Sequence, residues 1–217
     1  CTAAGILEGD GKNANATDPV TRQEAMTMFA RAMGMTADAS PDLSRFADGS
    51  ETADWAAGYM SPLAEMGIIS GSGDGSIQPS VNIDRASTMA LLDKAITVYI
   101  NESGEYSVDN QKGFVVVAAN GTVKLTGKTA GVVVTAGCGT GTVKLSGVTA
   151  DTVKVDGTAA VSLEDGAAVE TVSINAASSV TVASGVKVET MAVNADADVA
   201  NAGTITTLEA NSAADVD

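Results

Sequence analysis

The sequence predicts a multi-domain chain of the α plus all-β class, in which a small helical module precedes a β-helix (a β-solenoid) of about 19 residues per coil. Three observations predict this fold. All four prolines and all four arginines lie before residue 90, and no aromatic residue follows Phe114. A short strand-like segment recurs in the later part of the chain, whereas apolar residues recur at helical spacing in the earlier part.

The strand-like segment returns at steps of 19, 19 and 17 residues. Its copies start at Thr152, Thr171, Thr190 and Thr207 and read TVKVD, TVSIN, TMAVN and TLEAN. A second apolar pattern keeps the same pace, around Val143, Val161, Val180, Val199 and Val216. Each unit therefore contains two short strands separated by turns. Because one such unit cannot bury its apolar face alone, successive units are expected to stack.

Alternation along each strand places Val153 and Val155 inside and leaves Thr152 and Lys154 outside. Stacked coils would pair their backbone groups about 4.8 Å apart around a core too thin for aromatic side chains. We expect about five to six coils. One column should form a structural ladder at a corner, because Asn tolerates turn geometry; its members are Asp156, Asn175, Asn194 and Asn211.

Helices are predicted in the first half from spacing and caps. Apolar residues follow Arg22 at Met26, Phe29 and Met33, and follow Arg85 at Met89, Leu92 and Ile96. Another helix should carry Trp55, Tyr59, Leu63 and Met66 on one face, with Pro62 kinking it or opening its last stretch. Thr21 and Asp84 are the predicted amino-terminal caps, and Glu24 would complete a capping box with Thr21.

These patterns divide the chain into a helical module over residues 1–100, a linker over 101–112 and a β-solenoid over 113–217. The helical module contains a partial motif at 1–36 and a fuller motif at 46–98. The polar stretch at residues 101–105 marks the expected joint.

The composition excludes several functional classes. Histidine is absent, which removes the commonest general base and metal ligand. The 27 acidic and 12 basic side chains give a net charge of −15, which repels nucleic acid. Cys1 and Cys138 fit no zinc spacing, and either a disulfide between them or two free thiols would fit the sequence. We therefore expect no cofactor, no metal, no nucleic-acid partner and no membrane span.

The second helical motif carries an ordered set of matches to one bacterial motif. They are Phe46, Asp48, Trp55, Leu63, Gly67-Ile68-Ile69, Gly71, Asp74-Gly75, Pro79 and Arg85. This order resembles the S-layer homology (SLH) domain, and the residues before 36 resemble the later half of another copy. The resemblance implies a non-catalytic, secreted protein at the bacterial cell wall and cell surface. Its implied partner is a cell-wall polysaccharide, often pyruvylated, so carbohydrate binding is the implied activity.

The family's binding residues carry over onto Arg22, Asp48, Trp55, Gly71 and Arg85. The resemblance implies that Arg22 binds an anionic group with two N–H donors, and that Trp55 stacks on a sugar ring. Asp48 would accept hydrogen bonds from hydroxyl groups, and Gly71 would let the backbone come close to the ligand. Arg85 is the counterpart of Arg22 in the second motif. The alternative is that these residues only form caps, ion pairs and core.

Three functions are compatible with the sequence. The first is a cell-surface or S-layer-type structural protein whose solenoid projects outward or self-associates into a layer or filament. The second is an adhesin that binds glycans or host ligands through the solenoid. The third is a polysaccharide-cleaving β-helix, but the carboxylates Glu164, Glu170, Glu189 and Glu209 are scattered and lack sugar-stacking aromatic residues. We therefore predict that the chain is not an enzyme.

Overall fold

The computed structural model describes residues 5–9, 13, 15, 17–109, 112–212 and 215–216. The chain divides into two compact units, residues 1–95 and residues 96–217. Within the described residues the first unit is helical and the second is built of β-strands, which confirms the predicted fold class. The helices are α1 (Arg22–Ala32), α2 (Asp54–Glu65) and α3 (Arg85–Ala95), with a short 3-10 helix at Gly49–Glu51.

Helices α1 and α3 begin where the sequence supplies caps. The Thr21 hydroxyl accepts the Glu24 N–H at 3.4 Å, while the Glu24 carboxylate accepts the Thr21 N–H at 2.7 Å. At the start of α3, the Asp84 carboxylate accepts the Ser87 N–H at 2.7 Å. These bonds satisfy donors that the first helical turn leaves open, so both predicted caps and the capping box are confirmed.

Helix α2 continues through Pro62 to Glu65. A proline inside a helix has no N–H for the carbonyl four residues earlier, which here belongs to Gly58. The Gly58 oxygen accepts the Asp38 N–H at 2.9 Å instead. Glycine permits this approach, because a Cβ at residue 58 would lie 2.9 Å from the Asp38 oxygen. A neighbouring loop thus replaces the hydrogen bond that the proline removes.

The core of the first unit contains side chains from α1 and α2, among them Met26, Phe29, Ala56, Met60 and Leu63. Trp55, which the sequence placed on one face with Leu63, is instead 50% exposed. The steps from Ala56 to Met60 and Leu63 define the buried face, and Trp55 lies to one side of it. The indole is therefore left half-exposed at the surface of the helical unit.

A short antiparallel bridge joins the start of α1 to the start of α3. Residues 20–22 pair with residues 81–83, and the Arg22 N–H donates to the Val81 oxygen at 2.8 Å. The bridge therefore places Arg22 beside the first turn of α3.

Replacing Asp84 with alanine should lower the melting temperature of the helical unit by a few degrees at pH 7, because α3 loses its cap. The Ser87 backbone N–H and hydroxyl, which donate to the Asp84 carboxylate, hold its pKa below the ordinary value of 3.8. The cap is therefore fully effective above the pKa of the unfolded chain and is lost as the pH falls through the lower folded value. Fluorescence of Trp55, the single tryptophan, follows melting of this unit.

The melting temperatures of wild type and Asp84→Ala should converge as the pH falls below about 3.8. Asp93→Ala removes another exposed carboxylate of α3, outside the first turn, and should change little at pH 7. Equal losses in the two variants would contradict the capping role.

The second unit is a solenoid of parallel strands arranged in three stacked faces. The first face stacks β1 (Ile96–Ile100), β3 (Phe114–Val117), the ends of β4 (Thr122–Val134) and β5 (Thr142–Val155), and then β7 (Ala168–Ile174), β9 (Lys187–Val193) and β11 (Thr204–Ala210). The second face stacks β2 (Gly104–Ser107), the starts of β4 and β5, and then β6 (Ala160–Leu163), β8 (Ser179–Val182), β10 (Asp198–Asn201) and β12 (Asp215–Val216). The third face contains the middle of β4 and β5 and the starts of β7, β9 and β11.

The register between coils follows the sequence repeat. Val153 pairs with Val172, Val172 with Met191, and Met191 with Leu208. The inward side chains of these strands form one continuous core; Val153, Val155, Val172, Ile174, Met191 and Val193 are all buried. About six turns of about 19 residues confirm the predicted solenoid.

The solenoid begins earlier than the sequence patterns indicated. Strand β1 follows α3 directly at Ile96 and pairs with β3, while β2 lies inside the predicted linker and pairs with β4. Ile96 was expected on a helical face with Met89, but it starts a run that continues with Thr97 and Val98. Branching at Cβ restricts these side chains in a helix and favours a strand, which accounts for the difference.

In the part of the chain that the structure describes, no helix is long and apolar enough to cross a membrane, and no cluster of acidic or cysteine side chains could hold a metal ion. Cys138 is a buried free thiol whose Sγ donates to the Val117 oxygen at 3.1 Å. Burial raises the pKa of this thiol. Cys1, the other member of the predicted alternatives, lies outside the described residues.

Candidate functional site

A pocket of about 180 Å³ lies beside the starts of α1 and α3. Two cations, Arg22 and Lys94, line it together with the hydroxyl groups of Ser70 and Ser87 and with apolar residues such as Ile69 and Leu91. We call it the cationic pocket. The two cations can bind a small anionic group, and the apolar wall can contact a hydrocarbon substituent of that group.

Hydrogen bonds hold both cations of the cationic pocket. Arg22 donates from Nε to the Ile77 oxygen at 2.8 Å, which fixes the plane of its guanidinium group. Lys94 donates from Nζ to the Ser70 Oγ at 2.6 Å. After the hydrogen bonds from Ser87, the positive charge of Arg22 also lowers the pKa of Asp84. The guanidinium charge therefore acts on the carboxylate that caps α3.

A larger groove of about 610 Å³ lies along another side of α1. Trp55 lines it together with Arg31, Thr21 and Met28, and we call it the Trp55 groove. Arg31 is already paired, because its Nη2 lies 3.1 Å from the Glu8 Oε2 and its Cζ lies 5.0 Å from the centre of the Tyr59 ring. The half-exposed indole is therefore the feature of this groove best suited to a sugar ring.

The structure brings two of the predicted binding residues to one loop. Asp48 accepts the Ile77 N–H at Oδ1 and the Gln78 N–H at Oδ2, at 2.8 and 2.7 Å. Arg22 binds the carbonyl oxygen of the same Ile77. Asp48 therefore fixes the loop against which Arg22 is held.

The structure places Trp55, Gly71 and Arg85 in three other settings. Trp55 lines the Trp55 groove, whereas Arg22 lines the cationic pocket. A Cβ at Gly71 would lie 3.0 Å from the backbone carbonyl carbon of Gly75. The backbone atoms that come close to Gly71 therefore belong to its own loop. Arg85 is exposed at the first residue of α3. Direct contact between these residues and a ligand stays a prediction.

Sequence reasoning missed Lys94. Its signal was present, because Ser87, Leu91 and Lys94 are spaced by four and three residues and so share one face of α3. What the spacing could not give is the position of Ser70, which comes from a separate loop and binds the lysine.

The solenoid carries a continuous Asp/Asn ladder. Each of the three asparagines donates from Nδ2 to the ladder residue of the preceding coil at 2.8 Å, in the order Asn175 to Asp156, Asn194 to Asn175, and Asn211 to Asn194. Lys154, which alternation was expected to leave outside, is only 5% exposed. That expectation was wrong because strand alternation gives the direction of the side chain and not its surroundings. The lysine donates from Nζ to the Asp156 Oδ2 at 2.7 Å.

Comparison with known proteins identifies one family domain within the helical unit. Residues 45–88 match the S-layer homology domain. The chain carries an S-layer homology domain. This confirms the resemblance of the second motif, while the partial motif over residues 1–36 stays a prediction. The domain implies attachment to the cell wall at the cell surface.

Two relatives share only a small part of their length with this chain. The chain is 34% identical over 92 residues to an amylopullulanase from Thermoanaerobacterium thermosulfurigenes, covering 41% of this chain and 5% of that protein. It is 33% identical over 92 residues to exoglucanase XynX from Acetivibrio thermocellus, covering 41% of this chain and 8% of that protein. No solved structure matches the chain. The relatives' names therefore describe proteins of which the shared segment is under a tenth.

Proposed function

We propose that this chain is a non-catalytic wall anchor, in which the helical unit binds an acidic cell-wall polysaccharide and carries the solenoid as a projecting element. The observation that carries the proposal is the cationic pocket, because Arg22 and Lys94 line it in the unit that contains the S-layer homology domain. The net charge of −15 disfavours a polyanion at most of the surface. A pocket with two cations therefore offers a local site for an anion.

The pocket suits a carboxylate with a carbon substituent, such as a pyruvyl group on a sugar. Arg22 uses its Nε–H on Ile77, and its terminal N–H groups are donors that a carboxylate can accept in pairs. Lys94 adds a second positive charge, and Ile69 and Leu91 offer an apolar wall to the carbon substituent. In this proposal Trp55 stacks on a further sugar of the same polymer, and Asp48 positions the loop that holds Arg22.

The solenoid supplies a non-catalytic element in this proposal. Of the four scattered glutamates that a polysaccharide-cleaving β-helix would need, two are paired with lysines. Glu164 lies 3.6 Å from Lys144, and Glu189 binds Lys187. The stacked coils bury a continuous apolar core, which favours a stiff element over a flexible tether.

Removing both cations of the pocket should weaken wall binding about tenfold or more, since hydrogen bonds to charged groups are worth about 1.5–3 kcal/mol. The measurement is co-sedimentation of the chain with purified bacterial cell walls, for wild type and for the Arg22→Gln, Lys94→Met double variant. Walls treated with mild acid to remove pyruvyl groups should bind wild type as weakly as untreated walls bind the variant.

The charge-matched control replaces Lys112 and Lys128, two cations of the solenoid unit, with methionine. It should sediment like wild type, and Trp55 fluorescence should show that the helical unit of every variant melts like that of wild type. The proposal would be contradicted if the double variant at Arg22 and Lys94 bound walls as well as wild type. It would also be contradicted if the wild-type chain did not sediment with walls.

A further inference from the structure

One position of the Asp/Asn ladder brings an amine, a carboxylate and a carboxamide together. The Asp156 Oδ2 accepts from Lys154 Nζ at 2.7 Å, and its Oδ1 accepts from Asn175 Nδ2 at 2.8 Å. A single carboxylate thus bridges the lysine of one coil and the asparagine of the next. We propose that Lys154 and Asn175 form an intramolecular isopeptide bond here, with Asp156 as the catalytic residue.

The nucleophile is a lysine that is withdrawn from water. The Lys154 side chain is 6% exposed, whereas those of the ion-paired Lys144 and Lys187 are 43% and 62% exposed. Withdrawal of an ammonium group from water is costly unless the group is well paired. The preceding coil places Val133 at the register position of Lys154, so an apolar side chain fits this column. An amine stripped of water is also a better nucleophile than a hydrated one.

The electrophile is polarised before any reaction. Asn175 Oδ1 accepts from Asn194 Nδ2 at 2.8 Å and from the Ser173 hydroxyl at 3.4 Å. Negative charge develops on this oxygen when an amine adds to the amide carbon. Donors that are already directed at it stabilise the addition in the manner of an oxyanion hole.

Asp156 contacts both groups that exchange protons. It accepts a proton from the Lys154 ammonium, and the neutral Nζ then attacks Cγ of Asn175. Asp156 returns that proton to Nδ2, and the Cγ–Nδ2 bond breaks to release ammonia. The attacking nitrogen still carries two protons; it gives one to the ammonia and keeps the other as the N–H of the new amide. One ammonium and one carboxamide become one secondary amide and one ammonium ion, so the step needs no oxidant and no cofactor.

The rest of the ladder lacks the nucleophile. The residues in register with Lys154 on the following coils are Ser173, Ala192 and Glu209. Asn194 and Asn211 therefore have no lysine in that column and remain ordinary asparagines. One cross-link between two neighbouring coils is the expected outcome.

Mass spectrometry of the purified, folded full chain tests the proposal. The intact mass should be lower than the sequence mass by one ammonia. A tryptic digest should show no cleavage after Lys154 and should contain a branched peptide that joins Lys154 to Asn175. An intact mass equal to that of the sequence would overturn the proposal. Loss of ammonia without the branched peptide would also overturn it, as would loss of one water, which would place the lysine on Asp156.

Two variants separate chemistry from folding. Asp156→Asn keeps a hydrogen-bonding side chain in the ladder but cannot transfer the proton, and Lys154→Arg keeps the positive charge but removes the amine. Both should show the full sequence mass with a wild-type β-sheet signal in circular dichroism. Asn211→Ala is the matched control, because Asn211 bonds only to Asn194 in the ladder, and it should retain the cross-link. A cross-link in Asp156→Asn would overturn the catalytic assignment.

Discussion

Replacing Leu145 with alanine should lower the free energy of unfolding of the solenoid by about 3 kcal/mol. Leu145 is fully buried and lies in register with Leu125 on the preceding coil and Leu163 on the following one. The backbone hydrogen bonds between coils fix the spacing of this column, so its neighbours cannot close the cavity. Denaturant unfolding followed by the β-sheet signal in circular dichroism measures the loss.

The matched control for Leu145→Ala is the same substitution at Leu208. Leu208 belongs to the same repeat system but is 44% exposed on β11. Its replacement should cost under about 1 kcal/mol, because much of the side chain already contacts water. Equal losses at the two positions would contradict the stacked core as the main source of stability.

The solenoid could be predicted from sequence because its constraint is periodic. Val153, Val172 and Met191 occupy the same inward position, and a register slip of one residue would turn all of them outward. The repeat therefore gave both the strands and their pairing. The start of the solenoid was harder to predict, since β1 and β2 carry no copy of the repeated segment and pair only through the stacking of coils.

The helical unit was predictable where interactions are local. The Thr21 and Glu24 capping box involves residues three apart, so the sequence displays it directly. The cationic pocket depends on Arg22, Ser70 and Lys94, which come from distant parts of the chain. Their convergence is a property of packing. For the same reason the burial of Lys154 could not be derived from strand alternation.

Replacing Gly49 with alanine should destabilise the helical unit by about 3 kcal/mol or more, while the solenoid keeps its β-sheet signal. A Cβ at this residue would lie 2.1 Å from the Leu43 oxygen and 2.9 Å from its carbonyl carbon. Both are backbone atoms, so no side-chain rotation relieves the collision. The Gly49 N–H also donates to the Phe46 oxygen at 3.1 Å, which ties residue 49 to the same turn.

The collision at Gly49 should also reduce wall binding, because the preceding residue is Asp48. When the turn shifts, Asp48 loses its bonds to the Ile77 and Gln78 N–H groups, and the Ile77 oxygen no longer holds Arg22 in place. Melting followed by Trp55 fluorescence measures the stability, and co-sedimentation with cell walls measures the binding.

The control for Gly49→Ala is Gly73→Ala in the same unit, where a Cβ would meet no atom within 4 Å. That variant should melt and sediment like wild type. If both variants lost stability or wall binding to the same extent, the loss would reflect replacement of a glycine in general. A Gly49→Ala chain that melts at the same temperature as wild type would show that the Leu43 backbone can move aside. Such a chain could still fail to bind walls, and that outcome would locate the effect in the link from Asp48 through Ile77 to Arg22.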